Sequence, residues 1–327
     1  MASDVTDPTE SGSPIRSADS SLRAKANTRY QRYRQMRFTD SEMAIILLTP
    51  VLSYLVVISY YPIVDTLWTS FHTGSAIPAQ ETEFVGFDNY WYLFTSSSFW
   101  NAFVVTLVYT FVSVPIEMVL GLGIAILVNR KFRGRYIALV AILFPWALPT
   151  IINAEIWAWL FHGQYGVIND MLVRLGIVDS PYPFLAQQTS ALGSMLFVTI
   201  WKTTSFVALL CLAGLQAIPD ELYEAARIDG ASHWEQFRYI TLPLLKPVLL
   251  VALIFRTLPA FQAFDLPYGL TGGGPGESTT TLVLWAHNHT FNGLNFGEGA
   301  AAATVITLAA MIICLVYVVV LYEPEAN

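Results

Sequence analysis

Charge is scarce in this chain of 327 residues. Charged side chains make up only 13% of it, about half the share of a soluble domain, whereas 54% of the residues are hydrophobic. A chain of this length cannot bury so much apolar surface in one aqueous core. The composition therefore excludes an ordinary soluble protein and predicts that the lipid bilayer is part of its solvent.

Groups that carry chemistry are also few. The two cysteines, Cys211 and Cys314, lie in apolar stretches, so we expect small buried side chains and neither a disulfide framework nor a metal site. The stretch TGGGPGEST at 271–279 lacks the lysine of a phosphate-binding loop, and we interpret it as an extracellular turn. Outside the N-terminal arm the basic residues form no patch suited to nucleic acid. We therefore expect no catalytic residue, bound cofactor or metal in this chain.

Six long apolar runs are present, each long enough for a helix to cross a bilayer. Between Glu42 and Asp65, for example, 22 consecutive residues carry no charge, which suffices at about 1.5 Å per residue. The runs are 43–64, 102–128, 136–161, 191–217, 247–269 and 299–322. They predict an all-α, polytopic membrane protein whose six-span domain covers 43–322, with an N-terminal arm at 1–42 and a tail at 323–327.

Lys and Arg lie almost entirely on one side of these spans. Fourteen fall in the N-terminal arm and in the loops after the second and fourth spans, whereas one, Arg174, falls in the opposite loops. Cytoplasmic loops carry the excess of Lys and Arg, so both termini are predicted to be cytoplasmic. In the arm, basic residues alternate with aromatic ones over 20–37. Either a helix on the anionic inner leaflet or a solvated basic arm fits that pattern.

The segment 218–247, between the fourth and fifth spans, is too polar for lipid and too long for a plain connection. It predicts an N-cap at Asp220, a helix through Arg227, an interruption at Gly230 and a second short helix ending at Ile240. Such an elbow of two helices in the cytoplasm suits the docking of a partner protein.

The spacing in this segment is specific. It matches the EAA signature of ABC importer permeases without a mismatch. The matching residues are Glu224-Ala225-Ala226, then Gly230 after three residues, then Ile240-x-Leu242-Pro243 after nine more. Four further stretches resemble the carbohydrate branch, similar to maltose, trehalose and glycerol-phosphate permeases of the larger-subunit type. They are FVGFDNY (84–90), LFPWALPT (143–150), YGVIN (165–169) and LTGGGP (270–275).

The resemblance implies a type I ABC importer permease fold that forms half of a sugar pathway in the inner or plasma membrane, for a disaccharide such as trehalose or maltose. It implies as partners a second homologous permease, two ATPase subunits that bind ATP and Mg, and an extracellular or periplasmic sugar-binding protein. The chain itself would be a non-catalytic subunit. The implied ATPase-coupling residues are Glu224, Ala225, Ala226, Asp229 and Gly230, where small side chains permit close approach and acids can contact basic groups.

Charges inside the spans mark the expected pathway, because each is costly in lipid. Lys202 and Arg256 fall near the midplane of the fourth and fifth spans, and we expect no acid of this chain at their depth. Two roles remain open for these cations: they contact the substrate, or they form ion pairs with the sister permease. Glu117 is interpreted as a buried hydrogen-bonding partner. The predicted substrate-binding residues are Lys202, Thr203, Phe206, Arg256, Gln262 and Asp265.

Two other transporters fit parts of the pattern. A glycerol-phosphate-type permease would use the two cations for an anionic substrate, whereas hydroxyls and amides such as Thr203, Thr257 and Gln262 favour a neutral sugar. An ion-coupled secondary sugar carrier would use intramembrane acids such as Glu155 as relays. The sequence shows neither the inverted repeats nor the broken helices of such carriers.

The charge asymmetry predicts the outcome of reporter fusions. A reporter that is active only in the cytoplasm should be active after Asn327 or within 218–247, and silent at Gly274, because the loops rich in Lys and Arg stay inside. Reporter activity normalised to fusion-protein abundance measures this. The reverse pattern would overturn both the orientation and the cytoplasmic position of the elbow.

Overall fold

The computed structural model describes residues 40–74, 82–130 and 132–321; most of the predicted arm and the whole tail lie outside these ranges. Within them all regular structure is helical, apart from one antiparallel bridge between His72 and Phe84. The chain divides into two compact units, Met1–Val64 and Asp65–Asn327.

The described part of the first unit is a single helix. Helix α1, Asp40–Leu55, continues through a π-helical turn at Val56–Tyr60 into α2, Tyr61–Thr69. The side chains described over 43–64 are exposed all round. A helix that is apolar on every side needs lipid or another protein around it, as expected of the first predicted span.

The second unit contains the remaining helices of the described chain. In chain order they are α3 (Asp88–Thr95), α4 (Ser97–Asn129), α5 (Arg135–Ala147), α6 (Thr150–Leu160), α7 (Val167–Arg174), α8 (Gln188–Gln216), α9 (Asp220–Ile228), α10 (His233–Gln236), α11 (Leu242–Phe261), α12 (Asp265–Thr271), α13 (Leu282–His287) and α14 (Phe296–Leu321). π-helical turns at Phe237–Thr241 and Asn288–Asn292 follow α10 and α13.

Five stretches of the described chain are long and apolar enough to cross a bilayer. They are Met43–Thr69, Ser97–Asn129, Gln188–Gln216, His233–Phe261 and Phe296–Val319. They confirm five of the six predicted spans. The fifth span begins earlier than predicted, because α10 continues through the π-helical turn into α11 instead of ending at Ile240.

The remaining predicted span, 136–161, is a broken helix. Its halves α5 and α6 meet at a bend of 97°. Pro149 accounts for the break, since proline disfavours helical geometry in the preceding residue, and Leu148 is extended. Six spans result when the bent pair is counted as one. The expectation that the chain has no broken helix was wrong.

Small residues set the spacing of the central helices. A Cβ atom added to Gly121 of α4 would lie 2.6 Å from the Cβ of Val207 on α8, and one added to Gly214 of α8 would lie 2.6 Å from Leu245 on α11. Helices in membranes approach closely where side chains are small, because packing replaces the hydrophobic effect as the force between them. The trio α4, α8 and α11 therefore forms the packed centre of the second unit.

The cysteines differ in their surroundings. Cys211 is buried between these central helices, as expected, whereas Cys314 is exposed on α14. The prediction of a buried Cys314 was wrong, because the face of α14 that carries it meets no other helix of the described chain. Met311, Leu315 and Val318 are exposed on the same stretch.

Two motif stretches form compact structures outside the long helices. In FVGFDNY, Asn89 Nδ2 donates to the carbonyl oxygens of Ser70 and His72 at 2.8 and 3.0 Å. The stretch 271–279 is a turn, as predicted, in which the Thr279 hydroxyl donates to the Gly274 carbonyl at 2.9 Å.

The close approach of α4 and α8 predicts a difference between two glycines of one helix. Gly121→Ala should lower the free energy of unfolding by about 1–3 kcal/mol, because its methyl group has to push the helices apart. Gly123→Ala is the matched control, since a Cβ there meets nothing within 4 Å. It should be neutral or slightly stabilising. Thermal unfolding of the purified protein in detergent, followed by tryptophan fluorescence, measures both; equal midpoints would contradict the packing.

Candidate substrate cavity and coupling elbow

A cavity of about 390 Å³ opens among α4, α8, α11, α12 and the start of α6. Its size suits a small organic ligand. The polar and charged side chains that line it are Tyr109, Thr150, Thr199, Lys202, Thr203, Arg256, Gln262 and Asp265. Five of the six predicted substrate-binding residues are therefore brought together, and Phe206 is the exception.

Helical spacing and one turn of the chain place these groups. Thr199, Lys202 and Thr203 are three and four residues apart on α8, so they share a face. Helix α11 ends at Phe261, Gln262 lies on the turn that follows, and Asp265 is the first residue of α12. The Thr281 hydroxyl donates to the carbonyl of Ala263 at 2.6 Å and holds this turn in place.

Arg256 forms a buried ion pair with Glu117 of α4. Its Nε donates to Glu117 Oε2 at 2.7 Å, and its Nη2 donates to Oε1 at 3.4 Å. The side chain of Glu117 is 0% exposed and that of Arg256 is 10% exposed. Glu117 is thus the buried partner that the sequence predicted.

The same pair corrects a prediction about depth. We expected no acid of this chain level with Arg256, and this was wrong. Counted along the predicted runs 102–128 and 247–269, Glu117 lies 11 residues before residue 128 and Arg256 lies nine residues after residue 247, so the two are nearly level at about 1.5 Å per residue. The residue count therefore allowed the contact. The facing of α4 and α11 brings the two side chains together.

Lys202 differs from Arg256. It is buried and lines the cavity, and no carboxylate in the described chain lies within ion-pair distance of it. The charged groups that act on it through space are Arg256, which repels it, and Asp265, which attracts it. Asp265 lines the same cavity. An unpaired ammonium group is therefore available to a ligand, with a carboxylate on the same wall.

Hydroxyl groups complete the polar wall beside Lys202. The Tyr109 hydroxyl donates to Thr199 Oγ1 at 2.7 Å, and the Thr203 hydroxyl donates to the Thr199 carbonyl at 2.6 Å. Sequence reasoning missed Tyr109, Thr150 and Thr199. Thr199 was detectable, because it precedes Lys202 and Thr203 by one helical turn. Tyr109 comes from another span, and nothing in its local sequence indicated the contact.

Phe206 lies apart from this cavity. It stacks on Trp146, with ring centroids 5.9 Å apart and planes inclined by 27°, and its ring lies 6.4 Å from that of Phe255. Phe206 shares a face of α8 with Thr199 and Lys202, but it lies one turn, about 5.4 Å, further along the helix, where Trp146 of α5 packs against that face. The spacing that places Phe206 near Lys202 therefore does not place it on the wall of the cavity.

The predicted elbow is present as two helices joined at Gly230. Helix α9 begins at Asp220, so Pro219 is its N-cap and the predicted N-cap at Asp220 was wrong by one residue. Asp220 instead places a negative charge in the first turn, where it interacts favourably with the helix dipole. Gly230 has a φ of +82°, a conformation that other residues adopt at a cost. Ser232 then starts α10 with a capping box to Glu235.

The surface of the elbow is open. Glu224, Ala225, Asp229 and Gly230 are exposed and Ala226 is partly exposed, and a Cβ on Gly230 would meet nothing within 4 Å. Ile228 is 87% exposed although it is apolar. A single exposed aliphatic side chain is ordinary on a protein surface, so what suits a partner here is the open backbone at Gly230.

The described residues contain no cluster of three or more His, Cys, Asp or Glu side chains arranged to hold a metal ion. Two histidines at and just after the end of α13 pack against aromatic rings. His289 stacks on Trp285 with centroids 3.6 Å apart, and His287 lies 4.9 Å from Phe264.

Known proteins are similar to this chain in sequence and in fold. Residues 117–326 match the family model of the binding-protein-dependent transport system inner membrane component. The sulfoquinovosyl glycerol transport system permease protein SmoG of Agrobacterium fabrum is 44% identical over 278 residues, 85% of this chain and 90% of that protein. The trehalose/maltose transport system permease protein MalF of Thermococcus litoralis is 42% identical over 284 residues, 86% and 95% of the two chains.

A solved structure has the same fold. It is that of a bacterial ABC transporter involved in the import of the acidic polysaccharide alginate, with a TM-score of 0.75 and 22% identity. The match covers 89% of this chain and 96% of that chain. The matched family region contains Glu117, the cavity helices α8 and α11, and the elbow. Sequence, fold and elbow agree: the chain belongs to the family of binding-protein-dependent transport system inner membrane components, and not to the ion-coupled secondary carriers.

Proposed function

We propose that this chain forms half of the translocation pathway of an ATP-driven importer for a neutral sugar, a disaccharide such as trehalose or maltose. The observation that carries the proposal is the cavity, in which hydroxyl and amide groups surround one unpaired ammonium group. Sugars offer many hydroxyls, and sites that bind them need donors and acceptors in a partly apolar setting. The name of the Thermococcus litoralis relative supports the choice of sugar.

In the proposed transport cycle, the elbow transmits the movement of the ATPase subunits to the membrane helices. Each of two ATPase subunits, which bind ATP and Mg, receives the elbow of one permease subunit, and this chain binds neither cofactor. A sister permease covers the apolar faces left open here, and an extracellular or periplasmic binding protein delivers the sugar. Closure of the ATPases moves the paired elbows together and opens the cavity to the outside. ATP hydrolysis then reopens the cavity to the cytoplasm. Both termini lie on the cytoplasmic side.

In the cavity, Lys202 would donate to sugar hydroxyls, while Asp265 would accept from them and Gln262 would do both. Arg256 presents to the cavity only the N–H groups that Glu117 leaves free. Hydrogen bonds to charged groups contribute more than those between neutral groups, so Lys202 and Asp265 should dominate affinity.

An anionic sugar is the second candidate. The buried ammonium group of Lys202 favours it, and the Agrobacterium fabrum relative, at 44% identity, is named for sulfoquinovosyl glycerol, a sulfonated glycoside. Asp265 on the same cavity wall disfavours it, because a second negative charge there would be repelled.

The elbow assignment predicts the effect of bulk at Gly230. Gly230→Trp should leave the protein in the membrane but abolish transport and co-purification with the ATPase, since the cleft that receives the elbow has no room for an indole. Gly230→Asn is the matched control, because asparagine tolerates a positive φ far better and is small. It should retain most ATPase binding. If Gly230→Trp binds the ATPase and transports normally, the elbow does not couple the two subunits.

The cavity assignment predicts the effect of removing one ammonium group. Lys202→Met should weaken trehalose or maltose binding ten- to hundredfold, the loss of about 1.5–3 kcal/mol expected for a hydrogen bond to a charged group. Binding is measured on the purified importer complex without its binding protein, so that the affinity of the binding protein does not enter.

Thr204→Val is the control for that measurement. Thr204 neighbours Lys202 on α8 and is buried, but it does not line the cavity and its hydroxyl has no partner in the described chain. Its replacement should leave sugar affinity unchanged. Equal affinities of the Lys202→Met variant and the wild type would remove Lys202 from the site. Binding of only phosphorylated or sulfonated sugars would favour the anionic candidate.

A further inference from the structure

Glu117 stands behind Arg256 as seen from the cavity. Arg256 lines the cavity, whereas Glu117 does not and is 0% exposed. Both carboxylate oxygens accept from the guanidinium, at 2.7 and 3.4 Å. The positive charge on the cavity wall is therefore compensated from the protein side, and a ligand is not needed to compensate it.

The charges around the cavity consequently balance. Among the described residues, those that line it and carry charge are Lys202, Arg256 and Asp265. With Glu117 behind Arg256, two positive groups face two negative ones. Without Glu117, the same wall would carry an excess positive charge in a low-dielectric setting, where one uncompensated charge acts strongly on any charged ligand.

We propose that Glu117 determines the charge selectivity of this pathway: by neutralising Arg256 it makes the cavity accept uncharged sugars and disfavour anionic ones. This inference rests on the proposed function, since it assumes that the cavity binds sugar. Glu117 acts through Arg256 and is a positioning residue that does not itself touch the ligand. The competing explanation is that the pair only braces α4 against α11 and has no effect on which ligand binds.

Two ligands with one sugar frame separate these explanations. Trehalose is neutral, and trehalose 6-phosphate adds a phosphate to the same frame. The measured quantity is the ratio of their affinities for the purified importer complex in lipid nanodiscs, without the binding protein. A bracing role would lower the affinity for both ligands together and leave the ratio unchanged.

Three variants change the charge in known steps. Glu117→Gln leaves one extra positive charge and should shift the ratio toward trehalose 6-phosphate by at least about tenfold. Arg256→Gln removes the partner of a fully buried carboxylate, which then takes up a proton, so Lys202 and Asp265 still balance and the ratio should stay near that of the wild type. The double variant Glu117→Gln/Arg256→Gln restores the balance and should return the ratio to that of the wild type. A shift toward trehalose 6-phosphate in Glu117→Gln that the double variant reverses supports the proposal, and an unchanged ratio in an assembled Glu117→Gln complex overturns it.

The outcomes also separate this inference from the proposed function. If the wild-type complex binds trehalose but the ratio is the same in every variant, Glu117 has no role in selectivity and the sugar cavity stands. If the wild type binds neither ligand nor maltose, the sugar assignment itself fails. Should the single variants not assemble, the wild type still tests the proposal, because binding of trehalose 6-phosphate as tightly as trehalose there would overturn it.

Discussion

A buried ion pair joins two of the three helices around which the cavity is built. Glu117 on α4 is enclosed by protein, and Arg256 on α11 donates to it at 2.7 Å. An ionised carboxylate in this position is tolerated only with such a partner, so the register of α4 against α11 depends on the contact. Helix α8 packs closely against α4 at Gly121 and against α11 at Gly214. These two contacts hold the polar face of α8 beside the ion pair.

Interruptions of the helices coincide with the cavity. The chain breaks between α5 and α6, and it turns between α11 and α12; Thr150 from the first break and Gln262 from the second line the cavity. Within a bilayer, backbone groups without helical partners are tolerated where they are buried in protein or face a water-filled space. The breaks therefore supply polar surface at a place where the membrane permits it.

The elbow and the cavity illustrate two ways in which sequence relates to structure. The elbow is built from neighbours in the chain: Ser232 caps α10 through Glu235, and Gly230 supplies the positive φ between the two helices. Its residues could be assigned from spacing, with an error of one residue at the N-cap and a wrong end for the second helix, which continues past Ile240. The cavity depends on contacts between distant segments, such as Tyr109 with Thr199, and local spacing misplaced Phe206.

The sequence by itself determined that the chain is helical and membrane-spanning, where its apolar runs lie, and which segment forms the elbow, because hydropathy and turn chemistry act over a few neighbouring residues. Only the tertiary structure decided which intramembrane charges meet. A residue count gives the approximate depth of Glu117 and of Arg256 along their runs but not which faces of α4 and α11 meet, and the meeting of those faces puts the two in contact. The exposure of Cys314 was likewise decided by how the helices pack, since it depends on what lies beside α14 in space. The bend at Leu148 is different, because the following Pro149 disfavours a helix there and this is a local property of the sequence.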